Sequence, residues 1–142
     1  MKITATNHVI ITGLLFGVFL LASAAHAQDI RTVNLVWKID SAVNLTTNKG
    51  VPYHAEIKTL KDKKVIWSQK GGERVSEYTV ERVQGEWQSV KAGGTVTYFL
   101  TKEGHPCEMK FERTAGGVTI TIDYGAAGKS RFLISTINDS KL

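Results

Sequence analysis

Two short runs pair residue types that could do chemistry. His54 and Glu56 stand two apart, so on a strand they share one face. An imidazole and a carboxylate placed like that could ligate the same metal ion. A bound metal wants three or four ligands with second-layer support. No further ligand stands nearby in the sequence, so the pair reads as a solvated sheet face and no metal is expected. His105-Pro106-Cys107 sets a thiol beside an imidazole, the pairing of a nucleophile with its base. Alternation places Cys107 with Met109 and Phe111 on an apolar face, and His105 in the turn before it. A buried free cysteine acts as a small hydrophobe, and that is its expected role. Neither a G-x-S-x-G elbow nor a G-x-x-x-x-G-K-[ST] phosphate loop occurs. No catalytic residue, cofactor or enzymatic activity is therefore expected.

Two other sets could bind. Lys49, Lys58, Lys61, Lys63, Lys64 and Lys70 surround one charged turn, against only Glu56 and Asp62. Lys58, Lys61, Lys63 and Lys64 are the candidates for contact with an anionic envelope surface. Lysine also guards strands against edge pairing. The second set is aromatic: Trp37, Tyr53, Trp67, Tyr78, Tyr98 and Phe111, with Tyr124, all fall on expected inner faces. Burying such a side chain contributes roughly 1.5–3 kcal/mol, so core packing accounts for them. Tyrosine and tryptophan tips nevertheless want partners when buried. An interior carrying such tips can line a ligand pocket, which makes the first six candidate ligand-binding residues.

The elements that must position these residues are strands. From Gln28 onward the apolar period is two, the mark of half-buried β-structure. Strands are expected over Arg31 to Ile39, Tyr53 to Thr59, Val65 to Trp67, Ser76 to Glu81, Trp87 to Val90, Thr95 to Thr101, Cys107 to Glu112, Val118 to Tyr124 and Arg131 to Ile137. The stretch from Asp40 to Gly50 is less regular. The last strand is apolar on both faces, with Phe132 and Ile134 on one and Leu133 and Ile137 on the other, so it should be covered. Three glycine pairs, Gly71-Gly72, Gly93-Gly94 and Gly116-Gly117, recur at near-equal spacing, and a further glycine, Gly85, Gly104 and then Gly125 or Gly128, divides the two runs that follow each pair. Such spacing predicts successive hairpins.

The first 27 residues look like a leader. A short basic start, an apolar run from Val9 to Leu21 and the close Ala25-His26-Ala27 have the order of a secretory signal peptide cleaved before Gln28. No cysteine follows that point at which a lipid could attach, so the product is expected to be periplasmic or secreted and not a lipoprotein. Residues 28–142 suit one all-β domain. Cys107 is the one cysteine, so no internal disulfide can form and stability must come from packing and sheet bonds. The formal net charge of +5 permits weak attraction to anionic surfaces; no nucleic-acid partner is expected.

Consecutive hairpins argue for an antiparallel meander of about eight strands. Such a meander can close into a small up-and-down β-barrel, the favoured architecture, with a two-sheet β-sandwich as the alternative. The layout resembles lipocalin-like and avidin-like barrels. Trp37 on the first strand corresponds to the tryptophan lipocalins carry there, but Leu35 stands where they have glycine two positions earlier. The resemblance is one of architecture and carries over no functional residue. The expected function is that of an exported, non-enzymatic binding protein holding a small apolar or amphipathic ligand inside the barrel. The alternative is an envelope interaction, accessory or inhibitor protein that acts through its surface.

Overall fold

Each strand pairs with its neighbour in the chain, and the last returns to the first. In a computed structural model that describes residues 28–140, the strands are β1 (Asn34–Asn44), β2 (Lys49–Leu60), β3 (Lys64–Gln69), β4 (Arg74–Glu86), β5 (Gly94–Lys102), β6 (His105–Thr114), β7 (Gly117–Asp123) and β8 (Lys129–Asp139). The leader read from residues 1–27 lies outside the described residues. Pairing of β8 with β1 closes an eight-stranded antiparallel barrel. The architecture is therefore the up-and-down barrel and not the sandwich. Closure gives every strand two partners, so the chain needs no disulfide to protect an edge.

Alternation supplies the core. Val96, Tyr98 and Leu100 on β5 and Cys107, Met109 and Phe111 on β6 are buried, while their sequence neighbours are more exposed. Three strands break the period once. The register shifts between Ile39 and Ser41 on β1, between Val80 and Arg82 on β4, and on β8 where Ile39 meets Ile134 and Lys38 meets Thr136. An extra residue at each bulge restores the inward direction after three positions. Ile39 and Ala42, Val80 and Val83, and Ile134 and Ile137 thus all pack on the core. Bulges also add the twist that a closing sheet needs.

These bulges correct two expectations. β1 continues to Asn44 through the stretch that looked irregular, because Asp40 is an extra residue in a continuing strand. Ile137 does not share the outward face of β8 with Leu133; it packs inward, and Leu133 alone is left 42% exposed.

A 3-10 turn at Ile30–Thr32 and the β4–β5 loop plug one end of the barrel. Asp29 shapes the turn, accepting from the Arg31 amide at 3.0 Å and from Arg31 Nε at 2.9 Å. The Ile30 amide donates to the Trp87 carbonyl at 3.1 Å, and both side chains are buried. The expected strand Trp87 to Val90 is a loop. Its indole turns into the barrel end, where Nε1 donates to the Ser89 carbonyl at 2.6 Å. Nor does Gly85 mark a turn. It lies inside β4 with φ 99°, where a Cβ would collide with the Thr95 carbonyl.

Trp37, Trp87, Phe111 and Tyr98 form one aromatic cluster, with successive ring centroids 5.6, 4.9 and 5.1 Å apart for Trp37–Trp87, Trp37–Phe111 and Tyr98–Phe111. Trp37 Nε1 donates to buried Thr59 Oγ1 at 3.1 Å, which satisfies its polar tip. Trp87 packs against Gly94 of the second glycine pair: a Cβ there would stand 2.5 Å from Trp87 Cγ. Overpacking of this kind costs typically about 1–3 kcal/mol. Gly94→Ala should therefore lower stability by that amount. Gly93→Ala, whose Cβ would meet nothing closer than 3.6 Å, should stay within about 0.5 kcal/mol of the parent. Urea-unfolding midpoints for the two variants check this; equal effects would remove the role assigned to the Trp87–Gly94 contact.

Candidate functional site: the barrel mouth

The β1–β2, β3–β4, β5–β6 and β7–β8 connections all lie at the end opposite the Trp87 plug. This end is open. Cross-strand pairing puts Gln69 opposite Arg74, Trp67 opposite Ser76 and Val65 opposite Tyr78, so all six share the inner face of β3 and β4. Lys102 ends β5, and Tyr124 leans in from the loop after β7. Trp67, Gln69, Arg74, Ser76, Tyr78, Lys102 and Tyr124 line a cleft of about 360 Å³. A cleft of that size is at the small end of ligand sites.

The cleft has an aromatic side. Tyr53 stacks on Phe132 with ring centroids 5.6 Å apart, and Trp67 meets Phe132 edge-on at 5.4 Å. Tyr53 Oη donates to Gln69 Oε1 at 2.7 Å. Trp67 Nε1 is shielded from water and has no hydrogen-bond partner. A buried unmet donor of this kind is costly, and the Tyr53 hydroxyl is the neighbouring group that it acts on.

The other side is cationic. Lys102 Nζ donates to Ser76 Oγ at 3.0 Å and stands 5.9 Å from the Tyr78 ring centroid. Neither Lys102 nor Arg74 belongs to an ion pair among the described residues. The Tyr78 and Tyr124 hydroxyls share a hydrogen bond at 3.0 Å. Burial pushes the pKa of the Tyr78 hydroxyl above its ordinary value, with the Tyr124 hydroxyl and the Arg74 charge opposing it. Burial likewise raises Tyr53, again against the Arg74 charge. Burial and then the bond to Tyr78 push Tyr124 far upward. These phenols stay neutral near pH 7, so the charge lining the cleft is that of Arg74 and Lys102.

The aromatic candidates divide between the two ends. Tyr53, Trp67 and Tyr78 reach the mouth. Trp37, Tyr98 and Phe111 are 0% exposed in the packed half, where no ligand space remains beside them. Gln69, Arg74, Ser76 and Lys102 were not among the candidates. Their signal was parity: each continues the inward count of Val65, Tyr78 or Leu100 with a polar residue.

The lysine cluster also divides. Lys61 and Lys63 sit in the β2–β3 turn at the plugged end, Lys58 lies on β2, and Lys64 pairs with Glu77 at 2.8 Å. Lys49 and Lys70 are at the mouth end. His54 and Glu56 border a separate groove with Asp40, Ser68 and the β3–β4 turn at Gly71 and Gly72, which shares no lining residue with the mouth cleft. Among the described residues no group of three or more His, Cys, Asp or Glu could hold a metal ion. His105 is exposed, but it opens β6 opposite Lys102 and does not lie in a turn. Cys107 is buried below it, its thiol pushed up to about 11 by burial and the Glu108 charge.

No protein-family model and no curated protein sequence matches this chain. The class rests on the fold and the site: a small closed β-barrel, packed at one end and open at the other through an aromatic and cationic mouth.

Burial of Cys107 and the tyrosines has a consequence for stability in alkali. In the unfolded chain Cys107 ionises near 9.0, and in the folded chain near 11. Between those values the folded state holds more protons, so stability falls as pH rises; below 9.0 it is fully present. The raised tyrosines act in the same direction at higher pH. The urea midpoint should fall steadily from pH 9 to 11, and Cys107→Ala should flatten the first part of the fall. A midpoint independent of pH over that range would contradict the burial of these groups.

Proposed function

We propose that the protein is an exported, non-enzymatic binding protein that takes a small amphipathic ligand in the barrel mouth. One observation carries the reading: the cleft of about 360 Å³ that Trp67, Tyr78, Arg74 and Lys102 line at the open end. The interior below is filled by buried side chains, among them Leu100, Cys107 and Phe132. The ligand therefore rests in the mouth and does not thread the barrel. The leader-like residues 1–27 support export. The raised thiol of Cys107 and the absence of His54 from the cleft lining favour binding over nucleophilic or acid–base chemistry.

Trp67 is the tryptophan of the mouth, whereas Trp37 and Trp87 are buried at the plug. A neutral amphipathic fluorophore, N-phenyl-1-naphthylamine, should bind saturably at one site per chain. Trp67→Ala should weaken it at least tenfold. So should Gln69→Trp, which fills the cleft from a half-buried wall position should Trp67→Ala prove too unstable. Absence of saturable binding, or unchanged binding in Gln69→Trp, would remove the reading. N-terminal sequencing of protein recovered outside the cytoplasm should begin at Gln28; an intact Met1 would remove the export part.

A further inference from the structure

We propose that the ligand presents a carboxylate to Arg74 and Lys102 and lays a small aromatic or short apolar body against Trp67. The inference rests on the barrel-mouth reading and adds the chemistry of the ligand. Two cations line one concave surface, Lys102 from the end of β5 beside Ser76 and Arg74 two residues nearer the start of β4, and neither has a carboxylate partner among the described residues. No acidic group of the rim pairs with them. Asp123 is held by Lys129 at 2.8 Å, and Glu73 and Glu103, in their turns, join no ion pair. A concave, partly desolvated wall focuses such a field on an incoming anion.

The two cations suit different tasks. Lys102 is fixed by Ser76 at 3.0 Å and by the Tyr78 face, so little freedom is lost when an anion arrives. The Arg74 guanidinium makes no side-chain hydrogen bond among the described residues and keeps its planar fork for two parallel bonds to a carboxylate. The body of the ligand must be short. The cleft holds about 360 Å³, and the side chains beneath it are buried, Tyr78 at 3% exposure and Cys107 at 5%. A long acyl chain has nowhere to go. An aromatic ring can lie against half-buried Trp67, above the floor that Tyr78 forms with Lys102 over its ring.

The test compares 2-naphthoate, its uncharged analogue 2-naphthamide and inorganic phosphate, read by Trp67 fluorescence and calorimetry beside the N-phenyl-1-naphthylamine control. Naphthoate should bind at least tenfold more tightly than the amide, and the ratio should shrink with added salt. Arg74→Gln and Lys102→Gln should each bring the ratio toward one. Arg74 is exposed and makes no ion pair, so its variant keeps the test alive if Lys102→Gln loses its fold. Equal binding of acid and amide while the control binds overturns the carboxylate and leaves the mouth reading standing. So does a ratio that survives both substitutions. Phosphate that competes as well as naphthoate overturns the aromatic body. Failure of all the aromatic probes and of the control removes both readings together.

Discussion

The contact of Trp87 with Gly94 is the constraint on which the barrel depends. An eight-stranded sheet that closes on itself leaves two open ends, and water entering both would strip the interior of its worth. Here one end is stopped by an indole from a loop, laid on backbone that carries no Cβ. Trp87 then stands 5.6 Å from Trp37, which reaches Phe111 and through it Tyr98. The amide of Ile30 donates to the Trp87 carbonyl, so the chain before β1 is tied to the same plug. Most of the large, fully buried side chains belong to this half.

Stability concentrated at the plug leaves the mouth free to be imperfect. Trp67 Nε1 has no partner, and Arg74 and Lys102 lack counter-charges. Unmet groups of this kind would weaken a core, and natural folds place them where function needs them. Tyr98 shows the other case. Its hydroxyl is buried without a partner inside the packed half, where no cleft residue reaches it. The cost at Tyr98 is absorbed by the ring, which stacks edge-on against Phe111 and is fully buried.

Much of this fold was legible because barrel strands announce themselves by period two. Val96-Tyr98-Leu100 and Cys107-Met109-Phe111 needed no structure to be placed inward. What escaped had a physical cause in each case. The bulges at Asp40, Glu81 and Ser135 shift parity by one residue, so regular strands looked irregular or two-faced. Trp87 has the composition of a strand residue but packs from a loop, because its partner is a missing side chain at Gly94. The mouth was half legible. Aromatic residues drew attention to Tyr53, Trp67 and Tyr78. The polar residues beside them were hidden, since an inward Arg74 or Lys102 reads as a strand end until the barrel's open end is known.

The same parity argument explains why the mouth lies where it does. Along β3 the inward residues run Val65, Trp67, Gln69, and along β5 they run Val96, Tyr98, Leu100, Lys102. Each series is apolar toward the plug and polar toward the opposite end. β4 enters from the open end as Arg74, Ser76, Tyr78 and Val80, the same gradient traversed in reverse. Three neighbouring strands therefore change character at the same height, and closing the sheet turns three linear gradients into one rim. β7 has no such gradient within the strand. Val118, Ile120 and Ile122 stay buried along its length, and Tyr124 supplies the polar end only after the strand has stopped. Its hydroxyl reaches back to Tyr78 on β4, across the two intervening strands. The cleft is thus bounded on the β7 side by a loop that is held from within, the Tyr124 amide donating to the Gly128 carbonyl at 3.0 Å, the Gly128 amide to the Gly125 carbonyl at 3.1 Å and the Gly125 amide to Asp123 Oδ1 at 2.8 Å.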